Sequence, residues 1–290
     1  MSDANDPTTT ISLAYSVDAD DAFMFHALRS GAIDTAPFRF SHRREHTAAL
    51  NQLAIDAGAD VVAVSVGVYP AIAPRYQMLP HGASVGRGFG PVVVAPRQLA
   101  PGDLAGLRVG IPGATTTAWL VLRLIAPGAI GVEIPISPFS AIFDALASGA
   151  VDAALLIHEG RMLYRDRGLH LAVDLGEWWA AAEGLPLPLG VNVIRRDLGP
   201  ARVTQVSAHL RESIAWALSH RTQIIDVISA EDRGDKALSN QLLIDNYLNL
   251  YANADTAAMA DDAKRAIDVL FTRARSAGLL SADVAVDWAP

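Results

Sequence analysis

Short apolar runs alternate along the chain with longer stretches whose apolar residues recur every three or four positions, the signature of strands alternating with helices. Ile11–Tyr15 reads as a strand. Asp20–Leu28 reads as a helix opened by acidic residues, which suit its positive end. Arg44–Ile55 has helical spacing at Leu50, Leu53 and Ala54. Asp60–Ser65 (DVVAVS) and Pro91–Ala95 (PVVVA) are continuous apolar runs, as expected of strands buried on both faces. A fresh unit begins at Gly106, with strand Leu107–Ile111, the turn PGATTT and a helix from Ala118 to Ile125. Strand Val132–Ile136, helix Pro138–Ser148 and strand Val151–Ile157 follow. Leu169–Val173 and a stretch near Val191–Ile194 complete the strands. From Leu198 the chain reads as helical, with Pro200 near the start and amphipathic stretches near 201–222, 236–251 and 256–277.

Two α/β units followed by helices predict an α/β, two-lobed fold with a central cleft and C-terminal helices. Lobe one takes residues 1–95 and 190–290, and lobe two takes 96–189. The crossings fall near Pro96 and Pro188, and the terminal helices pack on the lobe holding 11–90.

Composition narrows the chemistry. The 290 residues are 51% hydrophobic and 19% charged, enough for a full core. A net charge of −8 argues against sequence-independent nucleic-acid binding. With no cysteine, thiol catalysis and Cys-based metal sites are excluded. No His/Asp/Glu set has metal-ligand spacing and no phosphate-binding motif is present, so neither a metal nor a cofactor is expected. The polar start MSDANDPTTT and the lack of a bilayer-length apolar run point to a cytoplasmic protein without a membrane partner.

The candidate chemistry sits at strand ends, where open α/β sheets bind their ligands. The run Val151–Ile157 ends on His158 and Glu159, and Arg161 and Tyr164 follow. An imidazole there exchanges a proton near neutral pH, with Glu159 and backbone groups available to orient it; the alternative is a histidine that only caps a buried strand. His26 and His46 are the competing histidines, in predicted helices. In IPGATTTAW, 111–119, a helix cap needs one threonine. Thr115, Thr116 and Thr117 with free backbone N–H groups suit a carboxylate. The glycine-rich loop 81–91 precedes a strand, so it is not a dinucleotide site; it either brings two backbones close or touches a ligand. Trp178 and Trp179 either pack or wall an aromatic ligand.

Taken in order, these pieces resemble one family. Phe23-x-Phe25-His26-Ala27-Leu28, Leu50-Asn51, Gly86-Arg87-Gly88-Phe89-Gly90-Pro91, Pro112-Gly113 with Thr116-Thr117-Ala118, Ile157-His158-Glu159, Asp174-Leu175-Gly176 with Trp178-Trp179, and Pro186-Leu187-Pro188-Leu189-Gly190 are similar to 1,4-dihydroxy-6-naphthoate synthase, a late enzyme of the futalosine route to menaquinone. The resemblance spans nearly the whole chain. It implies a type II periplasmic-binding-protein-like fold and a cofactor-free, metal-free lyase reaction, in which cyclic dehypoxanthine futalosine loses its sugar-derived fragment. It further implies His158 as proton acceptor, with Thr116, Thr117 and the segment Ala63-Val64-Ser65 binding substrate. Ser16 and Asp21 are the survivors of the family's Ser-Pro-Cys-Pro-Asn-Asp-Thr, which here is Ser16-Val17-Asp18-Ala19-Asp20-Asp21-Ala22, and they join the expected substrate shell. Ala63 replaces a common lysine, and the family's Asp-x-Glu-Thr-Leu-Asn is here His46-Thr47-Ala48-Ala49-Leu50-Asn51. These departures leave open a different small carboxylate substrate, or a protein that binds without catalysing. The largest pocket is expected between the lobes, lined by Ser16, Ser65, Thr116, Thr117 and His158.

Overall fold

A computed structural model describes residues 9–136, 138–233, 235–281 and 283–290; most of the polar N-terminal stretch read above lies outside them. Among these residues, eleven strands form two sheets. They are β1 (Thr9–Ser16), β2 (Phe38–Glu45), β3 (Val61–Ser65), β4 (Tyr76–Met78), β5 (Ser84–Gly86), β6 (Val92–Ala95), β7 (Arg108–Ile111), β8 (Ile130–Glu133), β9 (Ala153–Leu156), β10 (His170–Asp174) and β11 (Leu187–Arg195). The first sheet runs β2-β1-β3-β11-β4, with β5 paired to β11 as well. The second runs β10-β6-β9-β7-β8. The strands read from continuous apolar runs, β3, β6 and β9, are buried along their whole length, as central strands covered on both faces must be.

Several placements differ from the sequence reading. Strand β6, assigned above to lobe one, pairs antiparallel with β9 and β10 in the second sheet. The outward crossing therefore falls at residues 87–91, not near Pro96. On the return, Leu187 already pairs with Gly86 in the first sheet, so the second crossing precedes Pro188. An apolar run states that a strand is buried and leaves its neighbours undetermined. β4 and β5 are unread in the sequence, as is β2, which takes Arg44 and Glu45 from the helix expected over Arg44–Ile55 (observed at Thr47–Ile55) and lies parallel to β1 along eight residues. Its sequence FRFSHRRE is an edge strand, mostly half-exposed and charged, and so lacks the apolar signal of its neighbours.

Most of the C-terminal helices build on lobe one. The helix Pro200–Ser219 places Val203, Val206, Leu210 and Ile214 against Ile11, Leu13 and Tyr15 of β1. The helix Asp261–Ser276 carries acids in its first turn and arginines in its last, in keeping with its dipole. Its buried stripe Ala263, Ala266, Ile267, Leu270, Phe271, Ala274 has the three-four spacing of a core-facing helix. An additional helix, Arg221–Ala230, lies between Pro200–Ser219 and Gln241–Tyr251. The helix Gln241–Tyr251 straddles the lobes: Ile244, Tyr247, Leu248 and Tyr251 pack with Phe23, whereas Leu243, with Leu238 of the turn before the helix, reaches the second lobe's cluster around Phe139, Phe143 and Leu163.

The crossings touch one another. Arg161 donates to Gly90 O at 2.7 Å and to Asp174 Oδ2 at 2.9 Å, stapling the outgoing segment to the returning one. A Cβ built on Gly176 would stand 2.0 Å from the backbone carbonyl of Phe89, and one on Gly90 would stand 2.7 Å from the Gly176 nitrogen. Only glycine permits this approach.

Candidate active site

A cavity of about 740 Å³, counting the open space at its mouth, lies between the lobes. Each residue expected from the sequence lines it: Ser16, Asp21, Ser65, Thr116, Thr117 and His158. Asp18, Asp20, Thr47, Ser84, Asn192, Tyr247 and Tyr251 line it too. Trp178 and Trp179 do not; Trp179 is fully buried and donates its indole N–H to Pro186 O, so this pair belongs to packing.

His158 lies two residues past the end of β9, with φ at 51°. A left-handed backbone is uncommon for a residue with a Cβ, and such conformations concentrate at functional sites. The turn brings the ring into the cleft with 18% of its side chain exposed. Two side chains from the other lobe hold it. Nδ1 stands 2.5 Å from Asp18 Oδ2, and Nε2 stands 3.0 Å from Thr47 Oγ1. With the Nδ1 proton given to Asp18, a neutral ring carries its lone pair on Nε2 and accepts from Thr47. Tyr247 OH is 3.5 Å from Nδ1 and donates to Asp20 Oδ1 at 3.1 Å. Asp20 Oδ2 accepts from Ser84 Oγ at 2.6 Å. Glu159 does not orient the ring, contrary to the sequence reading. It turns away, accepts from the Ala19 N–H at 3.2 Å and pairs with Arg233. It thereby ties the lobe-two turn to the helix Ala19–Met24 of lobe one.

The charges here are strongly coupled. Burial of His158 works to lower its pKa, but the charge and hydrogen bond of Asp18, then Asp20 and Glu159, outweigh it and hold the imidazole up at about 9. Burial pushes Asp18 up, yet His158 pulls it down to about 2. Asp20 is raised well above the carboxylate range by burial, then by the charges of Asp18 and Asp21. Asp21, buried beside Asp18, is raised to about 7 although its carboxylate accepts the Ser16 N–H at 2.6 Å. Neighbouring groups are thus pushed in opposite directions, the condition for dividing acid and base roles.

Another part of the cavity wall is a helix N-terminus. Thr116 caps the helix Thr117–Ile125, accepting from Trp119 N–H and donating to Gly113 O. Thr117 Oγ1 donates to Leu189 O at 2.7 Å and accepts from Gly67 N–H at 3.0 Å. Both hydroxyls are therefore engaged within the protein. What this end offers an anion is the backbone: among the described residues, the N–H groups of Thr117 and Ala118 meet no acceptor. Ser65 Oγ accepts from Asn51 Nδ2, which also donates to Thr115 across the cleft. These contacts, with Thr47–His158 and Asp18–His158, describe lobes closed on one another.

Asp18, Asp20 and His158 offer three ligand atoms within 4.8 Å of one another. Donor atoms around one small tetrahedral ion stand roughly 3.3 Å apart. The Asp18–His158 separation of 2.5 Å is that of a charged hydrogen bond, so these two would have to part to share an ion.

The sequence had flagged Asp18 and Asp20 only as departures and missed Thr47 and Tyr247. The acids sit directly after a strand, a usable signal. Tyr247 arrives from a distant helix and had none. His26 stacks on Trp216, and His46 caps the helix Thr47–Ile55; neither lines the cavity.

Comparison with known proteins agrees with this architecture. A family model described as menaquinone biosynthesis matches residues 11–276. The chain is 36% identical to the 1,4-dihydroxy-6-naphthoate synthase of Thermus thermophilus, covering 92% of this chain and 94% of that one. It is 37% identical to the enzyme of the same name from Streptomyces coelicolor, covering 94% and 95%. A crystal structure of a protein from Archaeoglobus fulgidus, 36% identical, superposes with a TM-score of 0.85 over 93% of this chain and 98% of that one. The alkanesulfonate-binding protein of Xanthomonas axonopodis pv. citri, 14% identical, shares the fold at a TM-score of 0.72 over 98% of both chains. The fold is thus that of the periplasmic binding proteins, and the chain belongs to the 1,4-dihydroxy-6-naphthoate synthase family of menaquinone biosynthesis.

Proposed function

We propose that this protein is a cofactor-free lyase of the naphthoate-synthase type, acting on cyclic dehypoxanthine futalosine or a closely related carboxylate. The observation that carries the proposal is His158, held at a strand end over the cavity with Nδ1 on Asp18 and Nε2 on Thr47. In this reading the substrate carboxylate lies on the N–H groups of Thr117 and Ala118. A substrate hydroxyl takes the place of Thr47 at Nε2 and gives up its proton. The O–H electron pair becomes the second bond of a carbonyl, the adjacent carbon–carbon bond breaks, and its electrons pass to the ring side, which takes a proton and aromatises. Closing the lobes keeps bulk water from the ionised intermediate. Among the described residues no helix is long and apolar enough to cross a membrane. We place the reaction in the cytoplasm, in keeping with relatives named for a biosynthetic step.

The test is turnover of cyclic dehypoxanthine futalosine, read as dihydroxynaphthoate formed. The His158→Asn variant is expected to bind but to turn over about 100-fold more slowly or worse, the usual scale for losing a general base. Near-wild-type turnover in His158→Asn would remove His158 from the chemistry. A wild-type protein that binds this compound without converting it would favour a second reading, a different carboxylate substrate. The observation behind that alternative is the acidic pair Asp18 and Asp20, standing where the family has Cys and Asn.

A further inference from the structure

Asp18 and His158 belong to different lobes. Asp18 lies two residues beyond the end of β1 in the first sheet, and His158 lies two residues beyond the end of β9 in the second. Their 2.5 Å contact therefore spans the cleft, as does the 3.0 Å contact of Thr47 with the ring's other nitrogen. Asp18 is 6% exposed, and its second oxygen, Oδ1, is buried with no hydrogen-bond partner among the described residues. The imidazole is the strongest partner of this buried carboxylate, with Asp20 and Ser16 beside it as lesser ones. Carboxylate, imidazole and hydroxyl stand in line, the order that fixes a histidine tautomer in nucleophilic triads.

We propose that Asp18 is a positioning residue that arms His158 only when the lobes close, by holding the proton on Nδ1 and leaving Nε2 as the proton-accepting atom. This rests on the reading of His158 as proton acceptor, and it adds how that acceptor is assembled. With the lobes apart, the ring would lose both Asp18 and Thr47 and keep only neighbours from its own lobe. Closure over the substrate would then complete the base and shut out water in one movement, coupling substrate fit to chemistry. The replacement of the family's Cys by Asp18 becomes a gain: it adds a charge where the imidazolium forms. The groups facing the ring are Asp18, Asp20 and Asp21 from the segment after β1, Thr47 from its helix and Tyr247 from the C-terminal helix; Glu159, next in the chain, turns away but acts through its charge. The charge of Glu159 is offset by Arg233. Asp20 and Asp21 are both raised by their neighbours, so at neutral pH Asp18 is the anion that matters most to the ring.

The full-length protein and its Asp18→Asn variant would be compared in two ways. First, kcat and kcat/KM for cyclic dehypoxanthine futalosine would be followed across pH. Asp18→Asn is expected to lower the plateau kcat about 100-fold or more with KM changed less than about threefold, and to move the acid limb of kcat, which reports the closed complex and lies toward pH 9 in the wild type, down by at least one pH unit, because burial then acts on His158 without an opposing charge. Second, the ring nitrogens of His158 would be read by ¹⁵N NMR in the wild-type protein, which requires no variant to fold. A persistent Nδ1–H with a low-field proton signal is expected, lost in Asp18→Asn. An unchanged pH limb in Asp18→Asn, or a wild-type ring protonated only on Nε2 in its neutral form, would overturn the proposal. If His158→Asn keeps its turnover while the Nδ1–H signal is present, the fault lies with the base assignment and not with the pairing.

Discussion

Arg161 gives a test of how the two crossings are held. Its guanidinium touches both, through Gly90 O and Asp174 Oδ2, and its Cζ lies 5.6 Å from the centre of the Phe89 ring. The side chains of the pair are 15% and 5% exposed, so the interaction is mostly buried. Removing one partner of a buried pair costs about 3–5 kcal/mol, because the other charge is left without compensation. Asp174 would keep its two backbone donors, Gly176 N–H at 2.8 Å and Glu177 N–H at 3.2 Å, which places Arg161→Ala at the lower end, about 3 kcal/mol. For a chain of this length each kcal/mol moves the melting temperature by about 2 °C, so a drop of about 6 °C is expected. Arg161→Lys keeps a charge but cannot reach both acceptors in a fixed fork, and should lose about half as much. Circular dichroism melts at neutral pH measure both variants. A drop below about 1 °C in Arg161→Ala would mean that the crossings are held by packing alone.

Gly176→Ala places a methyl group where the Phe89 carbonyl now sits, at 2.0 Å, so the crossings must separate. A loss of about 1–3 kcal/mol in urea unfolding is expected despite the better helix propensity of alanine, and an unchanged midpoint would contradict the close approach. Stability should also depend on pH through His158. Its folded pKa of about 9 lies above the unfolded value of 6.5, so its contribution is fully present below pH 6.5 and lost as pH rises through about 9. The size is on the order of 3 kcal/mol, and Asp18, held near 2, is the same interaction seen from its partner, not an addition to it. Unfolding free energies measured between pH 6 and 10 should show this decline in the wild type and lose most of it in His158→Asn; an equal decline in both would assign it elsewhere.

Local pattern was enough to determine the two α/β units, the helical tail and the strand-end position of His158, because each is a property of a short window of sequence. Continuous apolar runs announced β3, β6 and β9, and the three-four stripe announced the helix Asp261–Ser276. The ordered motifs around His158 and Thr116–Thr117 were enough for the family. Tertiary structure alone decided which sheet β6 joins, since burial on both faces looks the same in either lobe. It alone revealed β2, whose polar edge carries no apolar run, and it alone brought in Tyr247, from a helix 89 positions beyond His158 in the chain. It also reversed the parts played by two acids. Glu159, adjacent to the histidine in sequence, points away to Ala19 and Arg233, while Asp18, 140 positions distant, crosses the cleft to the ring. Sequence neighbours in a tight left-handed turn point in different directions, and the closure of one lobe on the other sets which distant carboxylate meets the imidazole.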